Sequence, residues 1–205
     1  MIHKEIARRR VLSIAAVSIS ALALSAPVAS ASPSKPRPWS KNRSQNGWPI
    51  LKQPVNFKIE GSNQSVQLAG GDTAVILLYI ARRVNYEIET LRSGDVKGHS
   101  SELTVTQPYE SNHLSGTAIA LRPALYPSGA RGLLYPKELA IVRDILNQLD
   151  KTAYWGGDQS VPMESHFGIT LSPGHAQLEK TAQKIRAWDE RPGGPGAGAT
   201  SAFLH

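Results

Sequence analysis

The chain has 205 residues, no cysteine, 40% hydrophobic residues and a formal net charge of +7. This length and apolar content predict one domain with a real core, and the absence of cysteine excludes disulfides and thiolate metal ligands. Basic residues are scattered and do not form a stripe with exposed aromatics, so nucleic acid is not an expected partner.

The first residues have the organisation of a secretory signal peptide. Basic residues at Lys4 and at 8–10 precede an apolar stretch over 11–24, and a small-x-small cleavage site at 29–31 places the mature start at Ser32. The apolar stretch is shorter than the roughly 20 residues that span a bilayer, so we predict a cleaved signal over 1–31 and no membrane anchor. The arginines also resemble a twin-arginine export signal. The predicted location is therefore secreted, either extracellular or in the cell wall.

Composition divides the rest of the chain into a central unit and two tails. Residues 32–46 are rich in Ser, Pro, Lys and Arg, which predicts a disordered linker, and 192–205 begin with Gly, Pro and Ala, which predicts a flexible tail. The folded domain is predicted over 47–191. The signal carries four Lys or Arg and one Glu, so the mature chain keeps a net charge of +4. That charge is compatible with an anionic cell wall.

Hydrophobic spacing predicts the elements of the first half of the domain. Val55, Phe57 and Ile59 alternate with polar residues, as in a half-buried strand. Asp72 is positioned to cap a helix over 73–84. Three further strands are predicted over 86–91, 103–106 and 117–121.

The second half is predicted to contain two helices and two strands. Pro136 suits the first turn of a helix that runs to about 150, along which apolar residues recur at helical spacing. Strands follow over 152–155 and 166–171, and Pro173 opens a last helix. Helices mixed with antiparallel strands predict an α+β fold, a single domain with a small antiparallel sheet flanked by helices.

Two histidines occupy positions that suggest a joint site. His113 lies where a polar loop runs into an apolar strand, and His166 begins another strand. Two adjacent strands of one sheet can bring such imidazoles together. Two histidines and one carboxylate, with an open position for water, form a standard catalytic zinc arrangement.

The residues around both histidines resemble two signatures of a known family. The first is Ser111-x-His113-x-x-Gly116-x-Ala118, and the second is Trp155-Gly156-Gly157-Asp158 followed by His166-Phe167. In order and separation they resemble the D-alanyl-D-alanine carboxypeptidase and L-alanyl-D-glutamate endopeptidase family, which are zinc peptidases of bacterial cell walls. The loop at 131–132 and the helix that follows it resemble the endolysin-like branch. The likeness covers 47–171.

The resemblance implies a zinc site at His113 and His166, which match the family's two histidine ligands. It also implies a zinc D-Ala-D-Ala carboxypeptidase-like fold and peptidoglycan stem peptides as partners. The family's third ligand, an aspartate, is Ala120 here, and its usual general base, three positions before the second histidine, is Met163. Neither side chain supplies a carboxylate. The resemblance therefore predicts a secreted peptidase-like domain whose zinc peptidase activity is impaired or lost.

The residues leave two alternatives open. Glu164 lies two positions before His166, so both side chains would share a face of an extended stretch. Glu164 could then serve as the base or as a replacement ligand, and the chain would be an active zinc metallopeptidase. Otherwise the domain is non-catalytic: either it is a module that binds wall peptides, or its old site is vestigial and its partner lies elsewhere. Ser111 is a candidate for substrate binding or for orienting a site residue. Further polar groups that could approach the site are Asp158, His99 and Glu110.

Overall fold

The computed structural model describes residues 35–190. The predicted signal peptide and the predicted tail lie outside the described residues. Within them, three α-helices and two short 3-10 helices (η1 and η2) alternate with eight strands. In chain order these are β1 (Arg37–Pro38), β2 (Val55–Lys58), β3 (Ser65–Leu68), α1 (Asp72–Glu87), β4 (Val96–Lys97), β5 (Thr104–Val105), η1 (Pro108–His113), β6 (Ala118–Leu121), α2 (Pro136–Gln148), β7 (Ala153–Trp155), η2 (Gly156–Asp158), β8 (His166–Ile169) and α3 (Ala176–Asp189).

Four strands form the main antiparallel sheet in the order β4-β6-β8-β7. At its centre, β6 and β8 pair Ala118 with Gly168 and Ala120 with His166. Two smaller antiparallel pairs, β1 with β5 and β2 with β3, accompany it. The predicted α+β architecture, one compact domain of helices and small antiparallel sheets, is confirmed.

Alternation along β6 and β8 gives the main sheet one apolar face and one face that carries a histidine. Ile119 and Phe167 pair across these strands and are buried in the hydrophobic core, against which α1 packs. Their chain neighbours Ala120 and His166 therefore point to the opposite side of the sheet. The fully buried α1 residues that complete this core include Ile76, Leu77 and Ile80.

All three predicted helices are present, and two of them, α1 and α3, start at other residues than predicted. Pro136 is the first residue of α2, as predicted. Gly71 occupies the cap of α1, and Asp72 lies in the first turn, where its carboxylate accepts a hydrogen bond from Arg186. α3 begins three residues after the predicted Pro173. No helix in the described part of the chain is long and apolar enough to cross a bilayer.

The predicted strand over 86–91 is wrong, whereas the other predicted strands are present in shorter form. α1 continues to Glu87, and the chain after it packs back on the helix, because the Leu91 N–H donates to Asn85 Oδ1 at 2.9 Å. Leu91 is buried in the core. The apolar residues of this segment thus fill the core from a helix end and a loop.

The segment over 32–46 is predicted to be a disordered linker, but from β1 onward it is ordered and bonded to the domain. β1 pairs with β5 in the structure. The Gln45 N–H donates to Ser111 Oγ at 2.8 Å, and the Asn46 side chain donates to a backbone carbonyl of β8 at 3.0 Å. Polar residues that composition assigns to solvent are here bonded to the domain.

Gly116 packs so closely that a larger residue should destabilise the fold. Its φ is +65°, and a Cβ there would lie 2.5 Å from the backbone nitrogen of Ala69. We expect Gly116→Ala to lower the free energy of unfolding by about 3 kcal/mol, because left-handed strain of about 1–2 kcal/mol adds to a backbone clash. Urea denaturation measures the loss.

Gly129→Ala is the matched control for this substitution. Gly129 has φ +86°, and a Cβ there would meet no atom within 4 Å. The control should therefore cost only the backbone strain. Equal losses in the two variants would contradict the close-packing role of Gly116.

Candidate functional site

The structure brings His113 and His166 together at the start of β8, one of the two central strands of the main sheet. His113 is the last residue of η1, and His166 is the first residue of β8. His113 Nε2 lies 3.2 Å from His166 Nδ1. The two rings are nearly perpendicular, with centroids 5.0 Å apart, and both side chains are buried.

Hydrogen bonds determine which nitrogen of each ring carries the proton. His113 Nδ1 lies 2.7 Å from the carbonyl oxygen of Gly98, which can only accept, so this nitrogen carries the proton. In a neutral ring His113 Nε2 then accepts, and His166 Nδ1–H is the donor to it. His166 Nε2 in turn accepts from the Tyr154 hydroxyl at 2.9 Å. Both imidazoles therefore have the Nδ1–H form.

The chain of hydrogen bonds continues to the N-terminal segment. Asn112 Nδ2 donates to the Tyr154 oxygen at 2.9 Å, and the Asn46 N–H donates to Asn112 Oδ1 at 3.3 Å. The amide oxygen and nitrogen of Asn112 are thus used in one consistent orientation. We refer to the whole chain as the histidine relay, formed by Asn46, Asn112, Tyr154, His166, His113 and the Gly98 carbonyl.

Tyr154 reaches His166 because a glycine lies opposite it in the sheet. β7 and β8 pair Tyr154 with Gly168. A Cβ on Gly168 would lie 2.6 Å from the tyrosine ring, so the ring occupies the space that a side chain would fill. Sequence reasoning missed Tyr154. A glycine inside a strand is the signal that could have indicated a close approach, whereas the Gly98 carbonyl has no sequence signal.

Burial keeps both imidazoles neutral. It lowers the pKa of His113 to about 4, although the bond to the Gly98 carbonyl opposes this shift; the charges of Lys97 and His99 lower the pKa further. Burial also lowers the pKa of His166 well below its usual value, with a smaller contribution from His113. The pair is therefore uncharged at neutral pH, as the direction of the histidine relay requires.

The residues present do not fit the family's zinc centre of two histidines and one carboxylate. Two nitrogens that share a tetrahedral zinc at about 2.0–2.1 Å lie about 3.3 Å apart, close to the 3.2 Å between His113 and His166. The position of the third ligand is Ala120, which pairs with His166 across the sheet. Within residues 35–190 no group of three or more His, Cys, Asp or Glu side chains is placed to hold a metal ion.

A cavity of about 280 Å³ opens beside the histidine pair. His113, Ala120 and Met163 all line it, so the two positions where the family has acids face the same space as the first histidine. We refer to this space as the histidine cavity. The charged residues that line it are Lys97, Glu102 and Glu110. It is therefore suited to a ligand that carries both polar and apolar groups.

Glu164 is buried and is bonded to a neighbouring loop. Residues 164–165 form a turn, so the expectation of an extended stretch that shares a face with His166 is wrong. The carboxylate accepts three backbone N–H groups at 2.6–3.2 Å, from Gly132, Leu133 and Leu134. Three such donors satisfy a buried carboxylate and fix the loop that leads into α2.

Ser111 connects the N-terminal segment to η1. Its hydroxyl donates to the Pro108 carbonyl at 2.6 Å and accepts the Gln45 N–H at 2.8 Å, and its side chain is fully buried. Both functions of the hydroxyl are thus used inside the fold, next to the Asn112 end of the histidine relay.

The remaining polar candidates are bonded elsewhere or lie at the cavity wall. Asp158 forms a two-pronged ion pair with Arg143 at 2.5 and 2.6 Å, which lowers the pKa of Asp158. A ring nitrogen of His99 lies 2.9 Å from the Leu51 carbonyl oxygen. Glu110 lines the histidine cavity and accepts a backbone N–H of the preceding turn. Of these three groups, Glu110 is the one that faces the same space as His113.

Comparison with protein-family models, with curated proteins and with solved structures finds no match to this chain.

The metal-free protein should lose stability as the pH falls from 6.5 towards 4. His113 has a folded pKa of about 4 and an unfolded pKa of about 6.5, so the unfolded chain binds more protons in this window. Above pH 6.5 the titration of His113 does not affect the free energy of unfolding. By pH 4 it has lowered this free energy by about 3 kcal/mol. Urea denaturation at several pH values measures it. The exposed-histidine variant His175→Asn should keep the same slope, and a flat profile in the unsubstituted protein would contradict the neutral pair.

Tyr154→Phe should break the histidine relay at its centre. The change removes the donor to His166 Nε2 and the acceptor of Asn112 Nδ2. Buried groups left without partners cost about 1–3 kcal/mol, and denaturation curves measure the loss. Tyr86→Phe, at a side chain that is 61% exposed, should change stability very little. A neutral Tyr154→Phe variant would show that the relay contributes nothing to the fold.

Proposed function

We propose that the chain is a secreted, D-alanyl-D-alanine carboxypeptidase-like domain of the peptidoglycan peptidase family, with impaired or lost zinc peptidase activity. Two observations support the family assignment. The residues around His113 and His166 resemble both of its signatures, and the two histidines meet with nitrogens 3.2 Å apart. The proposed partners are peptidoglycan stem peptides, in the cell wall or outside the cell.

The pairing of Ala120 with His166 carries the proposed loss of activity. Residues directly opposite each other in an antiparallel pair have Cβ atoms about 4.5–5.5 Å apart, so an aspartate at 120 would reach a metal bound to His166. Ala120 is 3% exposed and lines the histidine cavity. A methyl group in that position cannot complete a catalytic zinc site.

Met163 removes the second acid that the reaction needs. A general base takes a proton from the attacking water and contributes about 10²–10⁴-fold to the rate. Met163 lines the histidine cavity, where no other residue of its loop contributes a carboxylate. The alanine at position 120 impairs metal binding, and the methionine at position 163 impairs proton transfer. Restoring one of these functions would therefore not restore the other.

The histidine cavity supports peptide binding as the retained function. The lining combines the charged residues Lys97, Glu102 and Glu110 with apolar ones such as Val105 and Leu114. Stem peptides present carboxylates, amines and short apolar side chains, which match such a lining. Binding there requires no metal.

An active zinc peptidase that uses Glu164 is the alternative. Its carboxylate would have to exchange three backbone donors for the metal or for water, and the loop over 132–134 would lose its anchor. In that case the purified protein would cleave wall peptides with zinc, and Glu164→Gln would abolish the cleavage. Retained cleavage in Glu164→Gln would exclude this alternative.

Ala120→Asp should strengthen zinc binding by at least about tenfold, since it supplies the missing ligand next to the histidine pair. Ala120→Asn is the matched control, because it has nearly the same volume without the anionic oxygen. Isothermal titration with zinc measures both. Unsubstituted protein that binds one zinc tightly and cleaves wall peptides would contradict the proposed loss.

Retention on purified peptidoglycan tests the binding function separately. We expect the unsubstituted protein to sediment with peptidoglycan in the presence of a chelator. Lys97→Glu reverses a charge of the cavity and should release it, whereas Lys58→Glu, on the exposed β2 strand, should not. No sedimentation of the unsubstituted protein would contradict wall-peptide binding.

A further inference from the structure

We propose that the histidine cavity binds one monovalent copper ion through His113 Nε2, His166 Nδ1 and the thioether sulfur of Met163. This inference goes beyond the proposed function and does not depend on peptide binding. It starts from the donors that are present, two imidazoles and a thioether, at a site where the carboxylates that zinc would use are absent.

The two imidazole nitrogens already have the spacing of a shared metal ion. They lie 3.2 Å apart, and about 3.3 Å separates nitrogens bound to one tetrahedral metal at about 2.0–2.1 Å. The other nitrogen of each ring has a fixed partner, the Gly98 carbonyl for His113 and the Tyr154 hydroxyl for His166. Such outer partners orient the rings and are typical of metal-binding histidines.

Met163 is held beside His166 by its backbone. Its N–H donates to the Gly156 carbonyl at 3.0 Å, and its own carbonyl accepts the His166 N–H at 3.0 Å. A Cβ on Gly156 would lie 2.4 Å from the Met163 carbonyl oxygen and 2.9 Å from His166 Cβ. Because Gly156 has no side chain, Met163 and His166 can both pack against its backbone. Met163 also lines the cavity together with His113.

Ligand softness selects the ion. Thioether sulfur favours monovalent copper, imidazole accepts copper or zinc, and carboxylates favour harder ions. Ala120 and Met163, both without charge, line the cavity together with His113. These three donors carry no charge, which favours a monovalent ion over a divalent one. The charged residues Lys97, Glu102 and Glu110 line the same cavity and are not among the proposed ligands.

Binding requires one rearrangement of the histidine relay. His166 Nδ1 must give up its proton to coordinate, and Nε2 takes up a proton, so that the ring stays neutral. The Nε2–H then donates to the Tyr154 oxygen, and the hydroxyl hydrogen of Tyr154 turns towards the neighbouring cavity that Tyr154 lines with Asn46 and Gln159. The ion thus replaces the hydrogen bond between the two rings, and the bond between Tyr154 and His166 reverses its direction.

The sequence makes the test unambiguous, because the chain has no cysteine and its other methionine is Met1. The purified protein is titrated with copper under ascorbate and without oxygen, in competition with a chromogenic chelator of monovalent copper. We expect one ion per chain. Met163→Leu preserves side-chain volume and should weaken copper binding by at least about tenfold. Loss of a mere outer-shell partner already lowers metal affinity by about 10–100-fold, and Met163 is proposed as a direct ligand.

X-ray absorption of the copper-loaded protein identifies the donors. A sulfur scatterer should be present in the unsubstituted protein and absent in Met163→Leu. His175→Asn changes an exposed histidine and should leave both affinity and spectrum unchanged. Binding that Met163→Leu does not weaken, a spectrum without sulfur, or no stoichiometric binding would each overturn the proposal. Retention on peptidoglycan is measured separately, so its failure leaves the copper result intact.

Discussion

The hydrogen bond between His113 Nε2 and His166 Nδ1 joins the end of η1 to the start of β8. It depends on the register of β6 and β8, because a shift of one residue would turn His166 into the apolar core and Phe167 out of it. The same register pairs His166 with Ala120. One strand pairing thus presents His166 to His113 and at the same time places an alanine directly opposite His166.

The histidine relay satisfies every ring nitrogen of the pair from within the protein. Gly98 accepts from one ring, Tyr154 donates to the other, and the rings bond to each other. Buried polar groups without partners are costly, and two buried imidazoles have four ring nitrogens to satisfy. In the metal-free state none of these nitrogens lacks a partner. This is the physical reason why a chain that lacks the carboxylate can keep both histidines buried.

Sequence reasoning predicts the elements that local signals determine. Pro136 identifies the start of α2, and the positions of His113 in the loop before one strand and of His166 at the start of another predict that the two meet at one sheet. It does not predict contacts that depend on tertiary structure. Glu164 lies in a turn and bonds to a distant loop, so the alternation of an extended strand does not apply. Tyr154 reaches the pair across Gly168, a contact that exists only once β7 and β8 have paired.

The N-terminal segment is a second place where tertiary contacts are not predicted from sequence. Its Ser, Pro and basic composition indicates disorder, yet Gln45 and Asn46 satisfy polar groups of η1 and β8. These bonds form between residues more than sixty positions apart, so composition alone cannot reveal them. Through Asn112, the segment also holds the outer end of the histidine relay.

The most direct test of this account is the nitrogen NMR spectrum of the histidine side chains in the metal-free protein at neutral pH. The account predicts that His113 and His166 are both neutral and both protonated at Nδ1, which is the direction that the Gly98 carbonyl imposes. A charged ring, or a proton at Nε2 of either histidine, would contradict the histidine relay and with it the explanation of how the pair remains buried without a metal.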